Sequence, residues 1–165
     1  MVKQKKHQKK KTRFDVNFDS RLEPLLQEVL EHKERVLREL EKFTFILGYR
    51  GLVHDDSKLL EPEKSMFDEY TPKLKEHDFG SEEYKVALKD MGEALKHHYE
   101  NNRHHPEHFE FGIDDMNLYD VVEMFCDWVV ASRTRGNKLD FDYLQSRFGM
   151  TDQLRSIFEN TVKTL

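Results

Sequence analysis

Apolar residues recur at intervals of three and four along most of the chain, a period that an α-helix satisfies and a strand does not. Leu22, Leu25, Leu26, Val29, Val36, Leu37, Leu40, Phe43 and Leu47 mark a long amphipathic helix, with Asp19 or Ser20 placed to cap it. Gly48 and Gly51 predict a break, followed by a short helix or helix end over 52–58. A helix opening at Pro62 turns Met66, Phe67, Tyr70 and Leu74 inward, and a turn over 78–81 ends in Ser81 as an N-cap. In the helix after it, Tyr84, Leu88, Met91, Leu95 and His98 step by four and three, so His98 extends the apolar face. Residues 103–115 read as a loop, and residues 116–132 as a central helix that is apolar on nearly every side. Residues 141–148 predict a short helix stopped by Gly149. Thr151 caps a last helix facing Leu154, Ile157, Phe158 and Val162 inward.

At 165 residues the chain has a one-domain length and buries roughly 70% of its unfolded surface. Seven glycines and four prolines are too few for a turn-dense sandwich, which leaves an all-α fold, a compact bundle of about six or seven helices. The single domain is expected over 19–165, after a flexible basic tail over 1–18. That tail holds Lys3, Lys5, Lys6, Lys9, Lys10, Lys11 and Arg13. With those seven set aside, 20 basic residues face 32 acidic ones, a net charge of −12. An acidic body argues against a long nucleic-acid groove and favours a small ligand whose charge is met locally. No apolar run approaches the length of about 18 residues that a bilayer requires, so no membrane partner is expected. The basic tail is not followed by an apolar signal core, and Cys126, the single cysteine, forms no internal disulfide. These features fit a reducing, cytoplasmic setting.

Nine histidines occur, and five of them (His97, His98, His104, His105, His108) fall within twelve residues. Neutral imidazole is a common transition-metal ligand, and mixed histidine and carboxylate sets suit manganese, iron, cobalt, nickel or zinc. Taken alone the cluster also reads as a solvated polar turn. His32, between Val29 and Val36, is placed on the inward face of the first helix, as a ligand or as a hydrogen-bonded core residue. Asp120, Glu123 and Asp127 form an acidic stripe on the apolar central helix and need either a metal or salt bridges to arginine or lysine. The doublet His54-Asp55, with Lys58 three residues on, supplies a nitrogen and an oxygen donor from one short segment.

This ordered set resembles the HD superfamily of metal-dependent phosphohydrolases, in which a histidine, a His-Asp doublet, further histidines and a final aspartate line a helical bundle. A closer likeness is to a family of bacterial and phage proteins of unknown function. The stretches that carry the resemblance are Glu31-His32-Lys33, then 52–58 with the doublet, His97-His98 with Asn102 and 104–109, and Glu123-Met124 with Asp127-Trp128. They span about residues 25 to 135. The resemblance implies that His32, His54, Asp55 and Asp127 ligate a first divalent transition-metal ion, with Asp55 able to bridge to a second. His98 and His104 or His105 would complete that second site. It further implies a catalytic Asp55 and a catalytic, phosphate-facing Lys58, with Asn102 and His105 toward substrate; Arg103 is a second candidate for neutralising phosphate charge. The glycine-rich motif of the cyclic-dinucleotide-cleaving members is absent.

The resulting expectation is an HD-type hydrolase acting on a nucleotide or another small phosphate ester, with one or two such ions. A bound ion activates water, and Asp55 or Asp56 accepts its proton. Two rivals use the same residues. One is a di-iron oxygenase, whose spacing His77 resembles although His77 also reads as an exposed residue of a charged stretch. The other is a non-enzymatic, metal-stabilised binding protein whose lysine tail contacts nucleic acid or an acidic partner.

Overall fold

The structure, a computed structural model, describes residues 23–77 and 80–165. The expected tail over 1–18, the capping residues Asp19 and Ser20, and part of the turn over 78–81 lie outside those residues. Contacts within the chain separate two units, Met1–Phe43 and Thr44–Leu165. Among the described residues every regular element is helical: α1 (Glu23–Val53), α2 (Glu63–Lys75), α3 (Glu82–Asp90), α4 (Gly92–Asn101), α5 (Leu118–Thr134), α6 (Phe141–Phe148) and α7 (Asp152–Val162). The described residues form an all-α fold with seven α-helices, as the apolar period predicts.

In the first unit the described part of α1 is stabilised locally. Arg35 pairs with Glu31, Arg38 with Glu34 and Lys42 with Glu39, one helical turn apart. Such exposed pairs contribute about 0.2–0.5 kcal/mol each. No residue of α1 is buried, and Leu25, Val29, Val36 and Leu40 are exposed. His32 is exposed with them. Within this unit the inward position expected for His32 is not observed.

The break expected at Gly48 and Gly51 is absent, and α1 runs through both to Val53. Neither glycine has a positive φ, so each keeps the helical path at a cost of about 1 kcal/mol relative to alanine. The chain turns at Asp55, whose backbone is left-handed at φ 62. A 3₁₀ turn over Asp56–Leu59 follows.

The second unit holds two apolar clusters. Leu74 of α2, Tyr84 and Ala87 of α3, and Met91 form one, with Met66, Phe67, Tyr70, Leu88 and Leu95 packed on it. The helix expected to run without interruption from Tyr84 to His98 is divided at Gly92, whose φ of +45 is a conformation that glycine adopts without steric cost. The second cluster joins Met124, Phe125, Trp128 and Val129 of α5 to Leu144, Met150 and Phe158. Phe125 stacks on Phe158 at 4.7 Å, and Trp128 on Phe148 at 5.2 Å. Asn117 caps α5 by accepting from the Tyr119 and Asp120 amides, while its own N–H donates to Asp120. Gly149 stops α6 at φ 66 and Thr151 caps α7.

The last helix offers a test of register. Phe158 is 5% exposed and its neighbour Ile157 is 52% exposed, although both were expected on the inward face. Phe158→Ala should cost about 3–5 kcal/mol of stability and Ile157→Ala about 1 kcal/mol or less, read from urea unfolding of the full chain. Equal losses would contradict the packing of α7.

Candidate metal centre

Four segments of the second unit converge on one cluster of imidazoles and carboxylates. The end of α1 supplies His54 and Asp55, the last turn of α4 supplies His98, the loop after it supplies His104 and His105, and α5 supplies Glu123 and Asp127. His98 and His104 bring Nε2 to 3.4 and 3.5 Å from Asp55 Oδ1, and His54 brings Nε2 to 3.5 Å from Oδ2. His105 Nε2 lies 2.8 Å from His98 Nε2. The rings pack edge and face, with His104 4.1 Å from His105 and 4.2 Å from His54 between centroids. Ligand atoms of Asp55, His98, His104 and His105 fall within one 4.8 Å group, and those of His54, His104 and Glu123 within another.

Two atoms in this cage, Asp55 Oδ1 and His104 Nε2, are buried and make no hydrogen bond. A buried polar atom left unpaired costs about 1–3 kcal/mol, and here two acceptor-capable atoms face each other. The spacing suits a cation. Four donors placed tetrahedrally at a bond length of about 2.1 Å are separated by about 3.4 Å, close to the Asp55–His98 and Asp55–His104 distances. Imidazole and carboxylate donors together suit manganese, iron, cobalt, nickel or zinc.

The Nδ1 side of the cage is held by carboxylates. Glu123 Oε1 lies 2.9 Å from His54 Nδ1 and 3.3 Å from His104 Nδ1, so both rings can turn Nε2 toward Asp55. Glu63, at the start of α2 and fully buried, meets His97 Nδ1 at 2.7 Å and His98 Nδ1 at 2.8 Å. Arg50 donates to Glu123 and Asp120, and Arg103 donates to both oxygens of Asp120. Asp120, fully buried, thus takes the salt-bridge alternative, and Arg103 is bound to it beside the cage.

Charge follows from this wiring. Pairing with Asp127 and then with Glu123 pushes His54 up to about 10. Burial opposes ionisation of Glu123, but hydrogen bonds from His104, His54 and Arg50 outweigh it and hold the carboxyl far below the usual range. Asp55 is likewise lowered against its own burial, by the Lys58 ammonium 2.6 Å from Oδ2 and by His54 and His98. Burial first, and then the charge of Lys58, depress His98. Burial, with His104 and His98 beside it, depresses His105.

Of the residues singled out in the sequence, His54, Asp55, His98, His104 and His105 lie together. Asp127 stands 3.7 Å from His54 Nε2, at the rim. His105, expected toward substrate, is one of the four donors grouped around Asp55. Asn102, also expected toward substrate, is buried and donates to Ser57 Oγ and to the His98 carbonyl. His77 belongs to neither donor group, and His32 lies in the first unit. His108 donates from Nδ1 to the Tyr99 carbonyl. Sequence reasoning missed Glu63, Arg50 and Ser57. Glu63 follows Pro62 in a charged stretch and carries no periodic signal, whereas Arg50 sits one turn before the doublet and could have been sought as the counter-charge of the α5 acids.

Over residues 22–164 the chain matches, and so belongs to, the family described as a family of unknown function (DUF5662). No curated protein and no solved structure matches it.

A ligating imidazole must offer a lone pair, so His54 has to lose the proton that it holds below about pH 10. Cobalt uptake near neutral pH should therefore expel a proton, and affinity should rise roughly tenfold per pH unit toward pH 10. Calorimetric titration in two buffers of different ionisation enthalpy measures this, and uptake without proton release would contradict it. On α4, His98→Ala should abolish stoichiometric uptake while His97→Ala retains it, because His98 faces Asp55 and His97 meets the outer side of Glu63. The opposite ranking in a metal analysis of the two variants would reverse that assignment.

Proposed function

We propose that this member of the DUF5662 family is a metal-dependent phosphohydrolase acting on a nucleotide or another small phosphate ester. The observation that carries the reading is the pair of buried, unbonded atoms Asp55 Oδ1 and His104 Nε2 inside a histidine cage, with an ammonium group at its edge. Asp55, His98, His104 and His105 are the residues that would hold the ion, joined by His54, whose Nε2 stands 3.5 Å from Asp55 Oδ2, with Asp127 at the rim. When bound, a divalent ion lowers the pKa of a coordinated water toward about 7 and polarises a phosphoryl oxygen.

The chain's own residues supply the rest. Lys58 is 33% exposed, and its ammonium lies over the Phe67 ring at 4.8 Å while pairing with Asp55 Oδ2. It is therefore anchored at the mouth of the cage with donors to spare, as neutralising an incoming phosphate requires. Asp55 Oδ2, ionised under the influence of Lys58, His54 and His98, accepts the proton of the attacking water. Asp56 is exposed on the 3₁₀ turn and has no such setting. Arg50 and Arg103 stay with Glu123 and Asp120 and stabilise the scaffold. The acidic surface and the local ammonium favour a small phosphate ester over a long polyanion.

Two measurements test this. The first is a panel of nucleotides and simple phosphate esters assayed with manganese, cobalt and nickel; tight metal binding without cleavage of any ester would overturn the hydrolase reading. The second is Lys58→Ala, which should keep fold and metal yet lose roughly tenfold or more in turnover, about 1.4 kcal/mol or more of barrier. Unchanged turnover would remove Lys58 from the reaction.

A further inference from the structure

Glu63 is fully buried, yet its hydrogen-bond partners are two imidazoles and a hydroxyl rather than an arginine or lysine. Counting the hydrogens around it fixes which nitrogen of His98 carries the proton. The Asn102 amide has two hydrogens. Their acceptors are Ser57 Oγ at 2.7 Å and the His98 carbonyl at 2.8 Å, so its 3.0 Å approach to His98 Nδ1 is contact without donation. Turning the amide over would set its oxygen against the His98 carbonyl. Ser57 has one hydroxyl hydrogen, and Glu63 Oε2 at 3.0 Å is a nearer acceptor for it than His98 Nδ1 at 3.4 Å. With Glu63 as a carboxylate, which only accepts, no donor then remains for a lone pair on Nδ1. Nδ1 must itself bear hydrogen and donate to Glu63 Oε2 at 2.8 Å. The lone pair falls on Nε2, which faces Asp55 Oδ1 and His105.

We propose that Glu63, acting with Ser57 and Asn102, is the positioning residue that locks His98 in its Nδ1–H tautomer and so aims the Nε2 lone pair into the cation site. Glu63 touches neither cation nor substrate. Its part is to decide which face of an imidazole is a donor of hydrogen and which a donor of electrons, as outer carboxylates do for metal-bound histidines. The inference rests on the cation-binding half of the proposed function and adds a residue to it.

Removing the carboxylate should do more than loosen packing. In Glu63→Leu the Ser57 hydroxyl loses its acceptor and turns to His98 Nδ1, which shifts the ring proton to Nε2 and blocks the lone pair. Glu63→Gln keeps an oxygen where Oε2 stands and can give its amide hydrogens to His97, whose side chain is 38% exposed and free to change tautomer. The conservative variant should therefore rescue the tautomer that the apolar one loses.

The experiment is long-range nitrogen-15 correlation of the histidine rings in the metal-free full chain, paired with cobalt titration of the same samples. Wild type and Glu63→Gln should show His98 protonated on Nδ1 and should bind cobalt within a few-fold of each other. Glu63→Leu should show His98 protonated on Nε2 and bind roughly 10–100-fold more weakly. If Glu63→Leu does not fold, wild type and Glu63→Gln still decide. A wild-type His98 protonated on Nε2 overturns the proposal, and so does Glu63→Leu with unchanged tautomer and affinity. A wild type with the expected tautomer but no cobalt uptake overturns the cation site itself, and the positioning role and the proposed function with it. The wrong tautomer with full uptake removes only the role of Glu63.

Discussion

The second unit is organised around a carboxylate oxygen, Asp55 Oδ1, that is buried, receives no hydrogen bond and has the Nε2 atoms of His98 and His104 within 3.5 Å. Such an atom is expensive twice over. Its burial without a partner costs about 1–3 kcal/mol, and the left-handed backbone of Asp55 adds a cost of similar size. A protein whose total stability is about 5–15 kcal/mol keeps such a residue only where something offsets it. A divalent cation would do so, because it satisfies Oδ1 and the facing lone pairs at once.

The surrounding residues make sense as supports for that centre. Nearest to it are imidazole Nε2 atoms, and behind two of the rings stands Glu123, with Glu63 behind a third. Arg50 then neutralises Glu123 and links it to Asp120, which Arg103 grips from the other side. Breaking a buried pair of this kind by deleting one partner costs about 3–5 kcal/mol, so the outer layer resists rearrangement. The opposite side of α5 packs Met124, Phe125, Trp128 and Val129 into the larger apolar cluster. Site carboxylates and core side chains therefore share one helix, which holds Glu123 and Asp127 on a rigid platform.

Periodicity made α2, α5, α6 and α7 legible in advance, because each has an apolar face, and Gly149 and Thr151 mark where α6 stops and α7 starts. It failed where a local rule met a neighbour that the sequence does not reveal. Gly48 and Gly51 read as breakers but stay helical, while Gly92, unmarked in the sequence, divides α3 from α4. His98 could be placed inward because its stripe of Tyr84, Leu88, Met91 and Leu95 does form a packed face. His32 is assigned to an inward face by the same reasoning and is exposed within its own unit, since an apolar period states which face is apolar and no more. His54, Asp55 and the histidines after α4 could be grouped from residue type and order. Glu63 could not, because a glutamate at the start of a charged helix looks the same whether it faces water or two imidazoles.

The most direct measurement is X-ray absorption at the metal edge of the full chain loaded with one equivalent of cobalt. Multiple scattering identifies imidazole in the coordination shell and so reads the cage itself rather than its consequences. Stoichiometric uptake with at least three imidazole nitrogens and a carboxylate oxygen at about 2.1 Å is the predicted result. A shell of oxygen alone, or uptake far below one equivalent, would contradict a cation site built on Asp55 and its histidines.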